Sequence, residues 1–231
     1  MLLSGCGTTR SISDSGYHGE PGHYGATEAS PFKGELNEFD VLGVQRGGTI
    51  TEEEINKTLE AASRVRVRKG STVLLIQSGA YQPDHPMTEA LSKHVNVVPF
   101  SGQPDSAGDK SNASYAKALR LAAARAGCES VICYWGTLES ARRNLETKTI
   151  SWVPVVGWMV PDEKQYMRIH LKVAIIDVRS GNWTMFAPEA FDNRAISSMF
   201  NKEASDQSQV EKLKRLAYES AAGDLIKIYA N

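Results

Sequence analysis

The chain has 231 residues, and its 26 basic and 27 acidic side chains give a net charge of −1 at pH 7. A surface with no basic excess does not attract phosphate backbones, so nucleic acid is not an expected partner. A hydrophobic fraction of 41% and a charged fraction of 23% fit one packed domain, expected over residues 31–231. No run of 18 apolar residues is present to predict a membrane-spanning helix.

The amino-terminal stretch Leu3-Ser4-Gly5-Cys6 resembles the lipobox at which bacterial lipoproteins are cleaved and acylated on cysteine. A complete export signal has an apolar run of about 7–15 residues before that box, so either the start was trimmed or the match is chance. Residues 7–31 are rich in Gly, Ser, Thr, Tyr and His, which is typical of a flexible tether. Residues 1–30 are therefore expected to form the lipobox and a disordered tether.

The lipobox resemblance implies a location. It implies that Cys6 carries a diacylglycerol and an amide-linked acyl chain such as palmitate, and two or more chains anchor a protein stably. Gly7, which is not Asp, points to the outer membrane with the domain facing the periplasm. The alternative is a cytosolic protein with a frayed amino terminus and an ordinary Cys6.

Within residues 31–231, short apolar runs bounded by turn residues predict the strands. The run at 72–77 is unbroken, which indicates burial on both faces, and the run at 166–178 alternates apolar and polar residues. The predicted strands are Phe39–Val44, Thr72–Gln77, Val95–Phe100, Val131–Leu138, Tyr166–Val178 and Trp183–Ala187.

Capping residues predict the helices between those strands. Thr51 and Glu54 have the spacing of a capping box, and the helix after them is expected to bury its apolar face. Asp84 is expected to cap a short helix, and Gly127 to close an alanine-rich one over 113–126. Asp206 begins a long terminal helix. The residues expected to be buried on the first and last helices are Ile55, Leu59 and Ala62, and Val210, Leu213, Ala217, Leu225 and Ile228.

The alternation of strands and helices, followed by a hairpin, predicts an α/β fold. We expect an α/β sandwich, in which a mixed β-sheet is packed with helices and preceded by the flexible lipoprotein tether. Cys128 and Cys133 are expected to be small buried residues of this domain, although they have the chemistry to pair in the periplasm.

One stretch of the chain resembles known envelope proteins. Gly127-Cys128-Glu129-Ser130, the strand 131–136 and the segment 176–183 are similar to the α/β domain of three families. These are the curli-secretion channel lipoprotein, the amino-terminal domain of the Tol translocation protein, and lipoproteins that activate penicillin-binding proteins. Residues 139–159 are closer to uncharacterised proteobacterial lipoproteins, some of which are labelled aminopeptidases. The resemblance covers residues 31–231 in order of elements and implies this fold.

An aminopeptidase needs catalytic or metal-binding side chains. The five histidines form no His-Glu-x-x-His pair, so neither a metal nor another cofactor is expected. Ser78 follows a buried strand without the Gly-x-Ser-x-Gly elbow, and Asp84 and His85 come soon after it. Since ligands bind at the carboxyl ends of parallel strands, these three residues are the weak catalytic candidates. A helix cap and an exposed first-turn histidine explain Asp84 and His85 equally well.

The uncharged apolar segment 150–160 is the predicted contact surface. Pro154 within it and Pro161 just after it lack backbone donors, so it is not expected to be an internal strand. A loop folded onto its own sheet is one interpretation, and a patch that contacts a protein partner or a bilayer is the other. The residues of this surface are Trp152, Val155, Val156, Trp158 and Met159.

These observations favour a non-catalytic, lipid-anchored protein of the cell envelope. We expect it to act through contacts with an envelope protein or a second copy of itself, as an accessory in assembly, secretion or envelope maintenance. The alternative is a periplasmic hydrolase of the aminopeptidase type. The sequence names neither a substrate nor a partner.

Overall fold

The computed structural model describes residues 10–14, 32–44, 49–104, 112–143, 150–154, 165–192 and 206–229. Strands and helices alternate through them, with a short 3-10 turn at Ile12–Asp14. The strands of the described residues are β1 Arg10–Ser11, β2 Thr72–Gln77, β3 Asn96–Phe100, β4 Ser130–Arg143, β5 Ile150–Pro154, β6 Gln165–Asp177, β7 Trp183–Phe186 and β8 Phe191–Asp192. The helices are α1 Glu38–Leu42, α2 Glu52–Ala61, α3 His85–Ser92, α4 Asn112–Arg125 and α5 Asp206–Tyr229.

The strands form one mixed sheet in the order β3-β2-β4-β6-β7. β2 lies parallel to both β3 and β4, whereas β4 and β6 are antiparallel along their whole length. The long β4 extends past the end of β2, and there it pairs with β1 and then with β5. Parallel pairing beside a hairpin confirms the predicted α/β class with a mixed sheet.

Helices cover both faces of the sheet. Alternate residues of β2 point to opposite faces, so that Leu75 packs towards α3 and α5 and Ile76 packs towards α1 and α4. All the apolar residues of β2 are buried, as the unbroken run predicts. Cys128 and Cys133 belong to the core on the α1 and α4 side, and both are buried, as expected, with free thiols.

The prediction of a strand at Phe39–Val44 was wrong, because residues 39–42 belong to α1 and Gly43 ends that helix. The side chain of Asn37 accepts a hydrogen bond from the Phe39 amide (3.0 Å), which satisfies one of the unpaired donors at the helix start. Gly43 ends the helix with φ of 73°, a left-handed conformation that glycine adopts without steric cost. Asn37 lies before the predicted strand and Gly43 lies within it, and these two caps outweigh its strand-like composition.

The predicted start of α2 is confirmed, but its predicted burial was wrong. Thr51 Oγ1 accepts a hydrogen bond from the Glu54 amide (3.2 Å), as the capping box requires. Every residue of α2 is exposed, including Ile55 (48%) and Leu59 (72%), and so is Ala62. The terminal helix α5 does bury its stripe, except for the exposed Ile228 at its end.

Residues 10–14 lie within the segment whose composition predicts a tether, yet they are part of the domain. Arg10 and Ser11 pair with Leu138 and Thr137 of β4, and Ile12 is buried in the core beneath α5. Gly136 makes room for it, because a Cβ there would stand 2.6 Å from Ile12 Cδ1. This part of the chain is therefore attached to the middle of the sheet.

Candidate functional site

Polar side chains gather where β2 ends. Gln77 is its last residue and Ser78 follows it, and both are buried among apolar neighbours. The Ser78 amide donates to the Tyr134 carbonyl of β4 (2.9 Å), and Gly79 then turns the chain with φ of 79°. This is the sheet edge at which the sequence places its weak catalytic candidates.

Asp84 is the centre of an ionic contact at this edge. It occupies the position before α3, as predicted, but its carboxylate makes no capping hydrogen bond. Asp84 Oδ2 instead accepts from Lys214 Nζ at 2.9 Å and from the Tyr218 hydroxyl at 2.6 Å. The side chains of Lys214 and Asp84 are only 5% and 15% exposed. A buried charge is strongly disfavoured without a partner, so this pairing makes the burial of both groups tolerable.

A second set of hydrogen bonds extends the contact back to β2. Gln77 Oε1 accepts from the Tyr134 hydroxyl (2.5 Å) and from the Asp84 amide (2.7 Å). The rings of Tyr134 and Tyr218 meet edge to face, with centroids 5.7 Å apart. Burial, together with the nearby charge of Asp84, raises the pKa of both phenols well above 10. Both tyrosines therefore stay neutral and act as hydrogen-bond donors.

Hydrogen bonds from these side chains also hold the amino-terminal segment. Gln77 Nε2 donates to Ser13 Oγ (3.0 Å), and that hydroxyl donates to the Ser78 carbonyl (2.6 Å). Lys214 Nζ also donates to the Ile12 carbonyl (3.2 Å). The buried lysine therefore joins three elements: α5, the start of α3, and the turn after β1. We call Ser13, Gln77, Asp84, Lys214 and Tyr218, together with Tyr134, the polar cluster.

Glu35 lies beside the polar cluster and is bound to Ser78. Ser78 Oγ accepts from the Leu36 amide (2.8 Å), and its hydroxyl is hydrogen-bonded to the Glu35 carboxylate. Partial burial raises the pKa of Glu35 above 4.5, and the hydrogen bonds from Ser11 and Ser78 oppose that rise. The segment is fixed further by Trp135 Nε1, which donates to the Leu36 carbonyl (2.8 Å).

The structure gives the three weak catalytic candidates different partners. Ser78 is bound to Glu35 and Leu36, and only 1% of it is exposed. Asp84 is bound to Lys214 and Tyr218. The exposed His85 stands with Nδ1 3.7 Å from a carboxylate oxygen of Glu89, one turn along α3. Each candidate thus has a structural role that does not involve the other two side chains.

A shallow cleft of about 470 Å³ lies between α3 and α5, close to His85. Its charged residues are paired across the two helices, through Arg215 with Glu89 (3.3 Å) and Lys93 with Glu219 (3.5 Å). Exposed pairs of this kind contribute little to stability. The residues that line the cleft are Pro86, Glu89, Ser92, Lys93, Arg215 and Glu219.

The polar face of β6 is solvated near its start, as its alternation predicts. Arg168 Nε stands 2.5 Å from Glu139 Oε2, and His170 Nε2 stands 3.3 Å from the same oxygen. Lys172 pairs with Glu38 of α1 at 2.5 Å. His170 on this face therefore has a carboxylate beside it. Within the described ranges, no group of three or more His, Cys, Asp or Glu side chains is placed to hold a metal ion.

Part of the predicted contact surface belongs to a strand. Trp152 lies in β5, opposite Ala141 of β4. Val155, Val156, Trp158 and Met159 fall outside the described residues, as does the predicted lipidation site Cys6.

Sequence reasoning placed Ser78 and Asp84 at the correct edge but missed the partners of Asp84. Lys214 and Tyr218 are 130 and 134 residues away along the chain. One signal for Lys214 was present, because it lies inside the apolar stripe of α5, between Val210 and Tyr218 at helical spacing. A lysine on the buried side of an amphipathic helix requires an anionic partner.

The fold and the polar cluster define an α/β sandwich domain that holds the segment near its own amino terminus in place. Residues 37–228 match the sequence model of the YafT bacterial lipoprotein family, and the chain belongs to that family. Membership indicates a membrane-anchored protein of the bacterial envelope, and no helix in the described part of the chain is long and apolar enough to cross a bilayer. No curated protein matches the chain. The resemblance to the curli and Tol proteins and the aminopeptidase label stay predictions.

Proposed function

We propose that this protein is acylated on Cys6, is held at the periplasmic side of the outer membrane, and acts through protein contacts without catalysis. The lipoprotein family supports the anchor. The observation that carries the non-catalytic role is that the polar cluster is occupied by the protein's own groups, with Lys214 bound to both Asp84 and the Ile12 carbonyl.

Catalysis needs groups that reach a substrate. A nucleophile must approach the reacting atom to about 3–3.5 Å, which the burial of Ser78 prevents in this conformation. Lys214 and Tyr218 each donate to Asp84, so the donors that would otherwise bind an anionic substrate are bound to an internal carboxylate. These contacts support a structural role for the cluster, which is to fix residues 10–14 to the sheet.

The contact surface of this proposal is the segment that begins in β5. Among the described residues, β5 pairs only with β4, so its other side forms an edge of the sheet. An edge strand offers unpaired backbone groups to another chain. Pro154 limits that pairing to part of the strand. We propose that Trp152, Val155, Val156, Trp158 and Met159 contact an envelope protein or a second copy of this chain.

Metabolic labelling with a palmitate analogue tests the anchor. The chain is expressed behind a complete export signal, and we expect label on the wild type and none on Cys6→Ala. Cys128→Ser is the matched control, since Cys128 is a buried thiol of the domain and its variant should label like the wild type. Equal labelling of the wild type and Cys6→Ala would contradict the proposal.

Substitution of the two tryptophans tests the contact surface. Truncation of a tryptophan in a core costs about 3–5 kcal/mol, whereas truncation on a partner-facing surface leaves folding nearly intact. We expect Trp152→Ala and Trp158→Ala to keep the melting temperature and to weaken self-association or capture of envelope proteins from solubilised outer membrane. A large fall in melting temperature with unchanged association would contradict a contact role.

A further inference from the structure

The chain between the lipidation site and the folded domain is short. Gly7, Thr8 and Thr9 separate Cys6 from β1. Four peptide units reach at most about 14 Å when fully extended. A domain of roughly 200 residues has an expected radius of gyration of about 16 Å. The linker is thus shorter than the radius of the domain, and an acyl chain on Cys6 brings the surface around Arg10 close to the bilayer.

The attachment of residues 10–14 also fixes which surface that is. Arg10 and Ser11 are paired with β4, and the Ile12 side chain is buried. Lys214 and Ser13 add hydrogen bonds from the polar cluster. The linker from Cys6 therefore leaves the domain at a fixed point of the sheet, beside Leu138 of β4.

Exposed aromatic side chains lie where β2 and β3 end, which is the end of the sheet past which β4 continues to pair with β1. The Phe32 ring lies beside Gly79, where an added Cβ would stand 2.6 Å from the ring and 3.3 Å from Ser13 Cβ. Tyr81 follows Gly79 by two residues. Phe32 is 38% exposed and Tyr81 is 63% exposed.

Phe100 joins them from the neighbouring strand. It is the last residue of β3, in register with Ile76 of β2, and it is 40% exposed. The following turn is tied to the end of β2, since the Gly79 amide donates to the Gly102 carbonyl (2.9 Å). We call this surface, with Phe32, Tyr81 and Phe100, the anchor end.

We propose that the anchor end rests on the surface of a phospholipid bilayer when Cys6 is acylated. This inference depends on the lipidation proposed above. Tyr81 has the apolar ring and polar hydroxyl that favour the membrane interface, and the Phe32 and Phe100 rings gain from burial at the boundary between headgroups and acyl chains. The short linker keeps those rings at a high local concentration relative to the lipid, so weak contacts are enough to orient the domain.

Site-specific fluorescence quenching tests the orientation. The full chain, acylated on Cys6, is placed in vesicles of phosphatidylethanolamine and phosphatidylglycerol that carry a nitroxide on the lipid headgroup. A fluorophore is attached to Tyr81→Cys or, as the matched control, to Trp183→Cys. Trp183 is exposed and begins β7 at the opposite end of the sheet. The buried Cys128 and Cys133 have raised thiol pKa values, so the introduced thiol reacts selectively.

We expect the label at position 81 to lose most of its fluorescence and the label at position 183 to keep it. Equal quenching at both positions, or stronger quenching at position 183, would overturn the proposed orientation. Flotation of the vesicles separates this failure from the other one. Protein that does not float with them is not anchored, and the lipidation proposal then fails together with this one.

A longer linker tests the cause of the orientation. Insertion of about twelve Gly and Ser residues between Thr9 and Arg10 adds a flexible spacer with a mean reach of about 20 Å. We expect flotation to be unchanged and quenching at position 81 to fall. Quenching that survives in full would overturn the role assigned to the short linker.

Discussion

At one end of the sheet an ionic pair is buried, and at the other end the apolar face of a helix is exposed. Beneath the anchor end, the side chains of Lys214 and Asp84 are almost closed to solvent and bind each other. At the distal end, where β2 begins and Ser63 meets Asn182, the apolar side chains of α2 are exposed. Burial in this protein therefore depends on whether a partner is available to a side chain, and the polarity of the residue does not decide it alone.

Removal of the buried cation is expected to have the largest effect. Lys214→Met leaves the Asp84 carboxylate buried without its ionic partner, which costs about 3–5 kcal/mol of the free energy of unfolding. Urea denaturation measures this loss. Lys227→Met is the control, because Lys227 is an exposed lysine of the same helix, and its loss should change stability by less than about 1 kcal/mol. Equal effects would mean that the buried pair has no special weight.

A second readout connects Lys214 to the amino-terminal segment. The ammonium binds the Ile12 carbonyl, so Lys214→Met is also expected to speed tryptic cleavage after Arg10 under native conditions. The double variant Lys214→Met with Asp84→Asn should recover part of the lost stability, since no unpaired carboxylate remains. A double variant that is less stable than Lys214→Met alone would contradict this account.

Loss of the packing between Ile12 and Gly136 is expected to have the next largest effect on stability. Ile12→Ala removes a buried side chain and is expected to cost about 2–5 kcal/mol. Gly136→Ala should also destabilise the wild type, because its new Cβ meets Ile12 Cδ1 at 2.6 Å. In the Ile12→Ala background only the 2.9 Å approach to Leu171 Cδ2 remains, so Gly136→Ala should cost less than in the wild type. Additive losses in urea denaturation would mean that Ile12 and Gly136 do not interact. They would contradict the packing of residues 10–14 in the core.

Glu35 is expected to make a smaller, pH-dependent contribution to the free energy of unfolding. Its pKa is higher in the folded state, so the folded protein binds this proton more tightly than the unfolded chain does. The resulting stabilisation is full below the ordinary pKa of 4.5 and is lost as the pH rises through the raised value. Glu35→Gln should therefore be more stable than the wild type at pH 7, with a gap that closes at lower pH. Glu60→Gln on α2 controls for the charge, and a gap independent of pH would contradict the assignment.

Local signals were sufficient for much of the fold. The bounds of β2 were predicted correctly because Lys69-Gly70 and Ser78-Gly79 interrupt its apolar run on both sides. Gly127 follows α4 with φ of 72°, the left-handed conformation expected after a helix. The error at Phe39–Val44 came from a run too short for its period to distinguish a strand from a helix.

The candidate site was only half predictable, because its contacts are not local. The end of a parallel strand gave the position of Ser78 and Asp84. No sequence spacing connects Asp84 with Lys214, or Ser13 with Gln77, since those pairs form only when helix, strand and amino-terminal segment meet. The composition of residues 7–31 likewise predicted a tether, because Ile12 is a single apolar residue whose burial depends on the space above Gly136.

The smallest effect on stability is expected for substitutions on α2, at the distal end of the sheet. Amphipathic periodicity predicts that a helix has an apolar face, but it does not show that another element covers that face. On α2 the side chains of Ile55 and Leu59 are exposed. Ile55→Ser and Leu59→Ser should each change the free energy of unfolding by no more than about 0.5 kcal/mol, as surface substitutions do. Urea denaturation at two protein concentrations makes the measurement. A loss of about 2 kcal/mol or more that does not depend on concentration would mean that α2 packs on the domain in solution, and the contrast between the two ends would then disappear.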